Sequence, residues 1–117
     1  MARILLVEDD ADVGPLLEHI LVRENHQVTV VETFEAARRR VDVENYDLVL
    51  TDLRLGDGDG LDLADAAKAA GMRTLLLSAY VLQCPPERLV QHRFLWKPVR
   101  PPELLKVVAE LLCDSST

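Results

Sequence analysis

The run Tyr46-Asp47-Leu48-Val49-Leu50-Thr51-Asp52 decides how this chain is read. Its apolar centre, Leu48 to Thr51, reads as a buried strand that ends in a carboxylate. An acid at the end of a buried strand is costly unless something uses its charge. A glycine-rich turn follows, Gly56-Asp57-Gly58-Asp59-Gly60. Two other apolar runs also end in charge. Ile4 to Val7 leads into Glu8-Asp9-Asp10, and Phe94-Leu95-Trp96 leads into Lys97. Strand ends of opposite charge point to one shared ionic pocket.

Outward from this run, apolar segments alternate with helical patterns. Ile4 to Val7 is the first strand. Val13, Leu16, Leu17, Ile20 and Leu21 recur at helical spacing and form an amphipathic first helix. Val28 to Val31 is a short β-branched strand. Thr33 caps a second helix reaching about Val41, with Phe34, Ala37 and Val41 inward. Leu61 to Ala70 is a third helix, stopped by Gly71. Thr74 to Leu77 and Phe94 to Trp96 are the fourth and fifth strands. Between Val81 and Arg93 one short helix is expected, because Pro85-Pro86 can open a helix but not lie inside one. Pro101-Pro102 starts the last helix, with Leu104, Leu105, Val108, Leu111 and Leu112 on one face, and Cys113 to Thr117 is a polar tail.

Five strands alternating with helices imply βαβ units and a parallel sheet covered on both faces. Right-handed crossovers leave few topologies. In such sheets a ligand site lies outside the carboxyl ends of the strands, where strand order reverses. Glu8, Asp9, Asp52, Ser78 and Lys97 all fall at those ends.

Length and composition agree. The 117 residues make a single domain, residues 1–117, large enough for one hydrophobic core. The net charge of -7 argues against nucleic-acid binding, and Arg38-Arg39-Arg40 reads as the solvated face of a helix. No apolar stretch approaches the ~20 residues that cross a bilayer, so a cytoplasmic protein without membrane contact is expected. Cys84 and Cys113 show no metal-ligand spacing and read as free, partly buried thiols. His19, His26 and His92 are scattered and read as surface residues, and Asp10 as a helix-entry residue. The acids of the glycine-rich turn read as turn chemistry, since the ligand pattern of a calcium loop is missing.

Three neighbouring carboxylates repel, and a divalent cation removes that cost. Glu8, Asp9 and Asp52 offer hard oxygen donors suited to Mg²⁺. Lys97 can pair with Asp52 or with a phosphoryl group on it, and the Ser78 hydroxyl can donate to a phosphoryl oxygen. Together these are parts for phosphoryl transfer to an aspartate.

At this point the chain resembles the receiver domain of a two-component response regulator. The matching segments are Ile4-Leu5-Leu6-Val7-Glu8-Asp9-Asp10, Asp47-Leu48-Val49-Leu50-Thr51-Asp52-Leu53-Arg54-Leu55, Gly58-Asp59-Gly60-Leu61, Leu75-Leu76-Leu77-Ser78-Ala79 and Phe94-Leu95-Trp96-Lys97-Pro98. They follow the family order and cover nearly the whole chain. The resemblance implies a flavodoxin-like, doubly wound α/β fold with strand order 2-1-3-4-5 and helices on both faces. It implies that Asp52 accepts phosphate from a phosphohistidine on a sensor histidine kinase or histidine phosphotransfer protein. Asp9, Asp52 and the Arg54 backbone carbonyl would ligate Mg²⁺, with Glu8 acting through water. Ser78 and Lys97, with the backbone at Leu53 and Ala79, would hold the phosphoryl oxygens. Phe94 matches an aromatic switch that turns inward when Ser78 moves toward the phosphate. The chain would then be no enzyme beyond its own phosphorylation and dephosphorylation, and would control an output protein or domain.

Departures from the family pattern carry their own expectations. Gly56 replaces a common proline. Arg54 and Tyr80 stand two residues past Asp52 and Ser78, beside the path of the hydrolytic water, so slow autodephosphorylation is expected. Gln91-His92-Arg93 replaces a common Gly-Ala pair, and the fourth helix is expected to be short or displaced. A homodimer through that surface is therefore an unsafe inference. The chain reads as a stand-alone regulator or as a receiver of a hybrid kinase or larger regulator, and the tail Asp114-Ser115-Ser116-Thr117 fits either. Two rivals remain. A haloacid-dehalogenase-like phosphatase shares the nucleophilic aspartate, but wants an acid where Arg54 stands. A degenerate receiver would bind partners without phosphorylation.

Overall fold

Five parallel strands form the centre of the molecule, described here from a computed structural model for residues 2–78, 87 and 92–113. In chain order the described elements are β1 (Arg3–Val7), α1 (Val13–Arg23), β2 (Gln27–Val31), α2 (Phe34–Val43), β3 (Leu48–Asp52), β4 (Arg54–Leu55), β5 (Gly58–Asp59), α3 (Gly60–Ala69), β6 (Arg73–Ser78), β7 (Arg93–Trp96) and α4 (Pro101–Cys113). The sheet order is β2-β1-β3-β6-β7, every pair parallel. This is the expected 2-1-3-4-5 order once the small antiparallel hairpin β4–β5 is set apart. The sequence reading took that hairpin for a plain turn. The expected helix between 81 and 93, along with Ala79, Tyr80, Cys84 and the tail from Asp114, lies outside the described residues.

Alternation along the strands divides the core between two faces, as the two-residue period of a strand requires. Ile4, Leu6, Leu48, Leu50, Leu75, Leu77 and Leu95 face α1 and α4, meeting Leu17, Leu21, Leu104, Val107, Val108 and Leu111. Leu5, Val7 and Val49 face the other way, against Ala37 and Val41 of α2 and Leu63 and Ala67 of α3. A smaller cluster beside them joins Leu53, Leu61, Ala64 and Leu76 to the ring of Phe94. Burial on both faces explains why these strands read as unbroken apolar runs.

Caps fix the helix ends. Thr33 Oγ1 accepts from the Ala36 N–H (3.1 Å) and starts α2. Asp59 Oδ1 accepts from the Leu61 N–H (2.8 Å) and starts α3. Asp10 Oδ1 accepts from the N–H groups of Asp12 and Val13, and these bonds draw its carboxyl below the ordinary value. Asp10 is thus the helix-entry residue it was expected to be. Gly71 ends the α3 segment with φ +88°, a conformation natural to glycine. The arginine run is solvated, each residue paired along α2: Arg38 with Asp42, Arg39 with Glu35 and Arg40 with Glu44.

Several expectations are corrected. Leu16 is exposed, because α1 buries Leu17 and Leu21 and turns Leu16 to the solvent side. Val107, absent from the expected face of the last helix, is buried. Cys113 is in no disulfide among the described residues, and it is exposed rather than partly buried. Of the histidines only His19 is exposed. His26 is half-buried and accepts from the Ala2 N–H at Nδ1 (3.2 Å). The His92 side chain is wholly buried at the entry to β7. Its Nδ1 lies 2.5 Å from Thr74 Oγ1 and its Nε2 2.7 Å from Asp65 Oδ1, tying β7 to β6 and α3. The partners stand 18 and 27 residues away in sequence, so no local pattern announces them.

Replacing His92 with alanine opens a cavity and leaves the buried Thr74 hydroxyl without this partner. The expected cost is about 2–3 kcal/mol, read from urea unfolding of His92→Ala against the wild type. An unchanged midpoint would show that the network contributes nothing to stability.

Candidate functional site

The strand order reverses between β1 and β3, since β1 lies between β2 and β3 in the sheet. Glu8 and Asp9 follow the last residue of β1, and Asp52 is the last residue of β3. Parallel pairing of the two strands therefore brings the three acids to one edge. One carboxylate oxygen from each lies within 4.8 Å of the others. Lys97, just past β7, reaches across the same edge. Its Nζ donates to Glu8 Oε1 (2.9 Å) and to Asp52 Oδ2 (3.1 Å). Its own backbone N–H donates to the Ser78 carbonyl (3.1 Å), which joins the ends of β6 and β7.

The four groups differ in exposure, and this sorts their roles. The Glu8 side chain is 0% exposed, Asp52 14% and Lys97 24%. Asp9 is exposed. Both Glu8 oxygens are engaged, Oε1 by Lys97 and Oε2 by the Asp10 N–H (3.3 Å). Burial pushes the Glu8 carboxyl above its ordinary value, against the lowering bond from Lys97, and the charge of Asp52 adds to the rise. Burial alone would lower the Lys97 ammonium, but its bonds to Glu8 and Asp52 outweigh it and hold Lys97 above its ordinary value. Lys97 therefore stays charged at neutral pH.

At 4.8 Å and an effective dielectric of 20, each carboxylate pair repels by about 3.5 kcal/mol. One ammonium against three carboxylates leaves two negative charges uncompensated. The donor set of hard oxygens, two of its acids reachable from solvent, fits a divalent cation such as Mg²⁺. Glu8, Asp9 and Asp52 each offer one carboxylate oxygen to such a cation.

The loop behind Asp52 is held by close backbone contact. The Gly60 N–H donates to the Leu53 carbonyl (2.8 Å), and a Cβ at Gly60 would collide with the Asp52 carbonyl oxygen. A Cβ at Gly58 would collide with the ring of Phe34. Only glycine fits at either place, so the repeated glycines serve packing as well as turning. The Leu53 N–H, expected to face a phosphoryl oxygen, donates to the Leu77 carbonyl (2.8 Å) and extends the sheet. Arg54 is exposed on β4. Ser78 is buried at the end of β6. Phe94 is half-buried, and its ring meets that of Trp96 edge-on with centroids 6.0 Å apart. Trp96 is 50% exposed.

Sequence reasoning places the acids and the lysine at the edge where the structure brings them together, but misses three hydrogen bonds. It paired Lys97 with Asp52 and not with Glu8. It also assigned Asp57 to its own turn, whereas Asp57 accepts from the N–H groups of Phe34 and Glu35 (2.7 and 3.1 Å). No spacing rule could have found the two bonds to Asp57.

A family model for the response regulator receiver domain matches residues 4–109. The chain belongs to this family. Transcriptional regulatory protein RstA of Escherichia coli K12 is 40% identical over 80 residues, covering 67% of this chain and 34% of RstA. Response regulator receiver protein CpdR of Brucella abortus is 37% identical over 67 residues, covering 57% of this chain and 56% of CpdR. The chain thus spans about a third of RstA and just over half of CpdR. Among solved structures, a receiver domain protein from Methanospirillum hungatei superimposes with a TM-score of 0.86 at 27% identity, covering 99% of this chain and 97% of that one. The receiver domain of sensor histidine kinase PA1611 from Pseudomonas aeruginosa gives 0.83 at 28% identity, with 95% and 97% covered, and has a magnesium ion coordinated in its active-site cleft.

Removal of the ammonium tests the electrostatic account. Lys97→Met leaves buried Glu8 beside Asp52 without a cation. In metal-free buffer the expected loss is about 2–3 kcal/mol near neutral pH, discounted from the ~3–5 of a fully buried pair because Lys97 is partly exposed. In the variant the folded-state pKa of Glu8 rises further above its unfolded value. Its contribution is then present below the unfolded pKa and lost as pH rises, so the gap from wild type should widen with pH. Urea unfolding of both proteins at pH 5 and pH 8 checks the sign.

Proposed function

We propose that this receiver domain is a phosphorylation-operated switch with Asp52 as acceptor, loaded by a phosphohistidine on a sensor histidine kinase or histidine phosphotransfer protein. The observation that carries this reading is the convergence of Glu8, Asp9, Asp52 and Lys97 on one sheet edge. An Asp52 oxygen attacks phosphorus, the phosphorus–nitrogen bond breaks, and the leaving imidazole takes up a proton. Lys97, already bonded to Asp52, is in reach of the developing negative charge on the phosphoryl group. Asp9, Asp52 and the Arg54 carbonyl would hold a Mg²⁺ ion, with Glu8 in support, and its charge would offset the acids and the phosphoryl oxygens. The Ser78 hydroxyl, at the end of β6, adds a donor to phosphate. The ring of Phe94 follows Ser78 inward and changes the surface that an output protein or domain reads. Chemistry ends with the chain's own phosphorylation and dephosphorylation.

The edge-on contact makes Trp96, the one tryptophan of the chain, a reporter on Phe94. Beryllofluoride with Mg²⁺ should change Trp96 fluorescence in the wild type and leave Asp52→Asn unchanged, and a small phosphodonor should give an acid-labile phosphate on the wild type alone. A wild type that shows neither response defeats the proposal.

Arg54 stands two residues past the acceptor and shields the phosphoryl group from water, so phosphate is lost slowly without a partner. Arg54→Ala should quicken that loss roughly tenfold, about 1.4 kcal/mol of barrier. The decay of radiolabelled phosphoprotein measures it, and equal rates would remove Arg54 from this role.

A further inference from the structure

Asp57 leaves its own turn to cap a distant helix. It is the second of the two residues, Gly56 and Asp57, that join β4 to β5. Its Oδ1 accepts from the Phe34 N–H at 2.7 Å and its Oδ2 from the Glu35 N–H at 3.1 Å. These are the first two residues of α2, whose N–H groups find no partner within the helix. Thr33 takes the third, at Ala36. The first turn of α2 is therefore capped by one side chain of its own and one from the loop behind Asp52. The two backbone donors also draw the Asp57 carboxyl below its ordinary value.

The hairpin packs tightly on α2 at one point, and its turn lies near the acid cluster. At Gly58 the backbone lies so close to the Phe34 ring that a Cβ has no room. At Gly56 an added Cβ would come within 4.0 Å of the Asp9 carboxylate. The hairpin thus sits between the first turn of α2 and the acid cluster, and its first strand begins with Arg54.

We infer that Asp57 is a positioning residue that couples the cation site to the N-terminus of α2. It anchors the hairpin so that the Arg54 carbonyl stays in reach of a cation held by Asp9 and Asp52. Coupling between two sites is reciprocal, so cation binding must in turn tighten the first turn of α2. The inference rests on the cation reading above and extends it to a helix with no residue in the acid cluster.

The test is calorimetric titration of Mg²⁺ into wild type, Asp57→Ala, Asp57→Asn and Thr33→Ala. Amide hydrogen exchange at Phe34 and Glu35, with and without Mg²⁺, is read on the same proteins. Asp57→Ala should bind Mg²⁺ about tenfold more weakly, the low end for losing an outer partner of a metal ligand. Asp57→Asn keeps one accepting oxygen and should recover part of the loss. Thr33→Ala loosens the same helical turn without touching the hairpin, so by reciprocity it should weaken Mg²⁺ binding, but less than Asp57→Ala does. Mg²⁺ should slow exchange at Phe34 and Glu35 in the wild type but not in Asp57→Ala. Equal affinity in wild type and Asp57→Ala would reduce Asp57 to a helix cap and overturn the coupling, and equal weakening in Asp57→Ala and Thr33→Ala would overturn its positioning of the hairpin. A wild type that takes up no Mg²⁺ would overturn the cation reading itself, and the coupling with it.

Discussion

The Lys97 ammonium lies between the Glu8 and Asp52 carboxylates, and the arrangement of the whole strand edge depends on that bridge. Without it, three acids would meet at the end of a buried sheet with nothing to offset them. With it, one charge of three is balanced, and the site keeps a net negative charge that a divalent cation can answer. The bridge also joins residues 89 and 45 positions apart, so it closes the sheet across its width. Burial makes it matter. Glu8 is out of water, and a bond to a buried carboxylate is worth more than the same bond at the surface.

The sheet makes the bridge possible. Parallel strands buried on both faces place all their carboxyl ends on one edge, and the reversal of order between β1 and β3 opens a crevice there. Backbone proximity then supplies what side chains do not. Gly60 lies against the Asp52 carbonyl and Gly58 against Phe34, so the loop behind Asp52 is packed on the sheet end and on α2 together. On the far side, His92 fastens the start of β7 two residues before the aromatic ring of Phe94. Asp52 and Phe94 are thus each braced by a contact from outside the acid cluster.

Most of the fold was legible because its signals are local. The apolar runs at Leu48 and Leu75, the cap at Thr33 and the stop at Gly71 all lie within a few residues of what they determine. The acid cluster was legible because three strand ends carried charge. Leu16 and Val107 were misjudged for a different reason: helical spacing fixes a stripe, but packing decides which of its edges is buried. His92 was misjudged because histidine is common at surfaces, and nothing near it in sequence names Thr74 or Asp65.

The amino-acid sequence by itself determined the alternation of strands and helices, the parallel sheet and the gathering of Glu8, Asp9, Asp52, Ser78 and Lys97 at one edge. Each of these follows from periodicity and from the cost of burying charge. Only the tertiary structure decided that Lys97 bonds Glu8 as well as Asp52, that His92 is buried, and that Asp57 caps α2. Those bonds join residues about 20 to 90 positions apart, and hydrogen bonding needs ångström proximity. That proximity exists only after the apolar strands have packed.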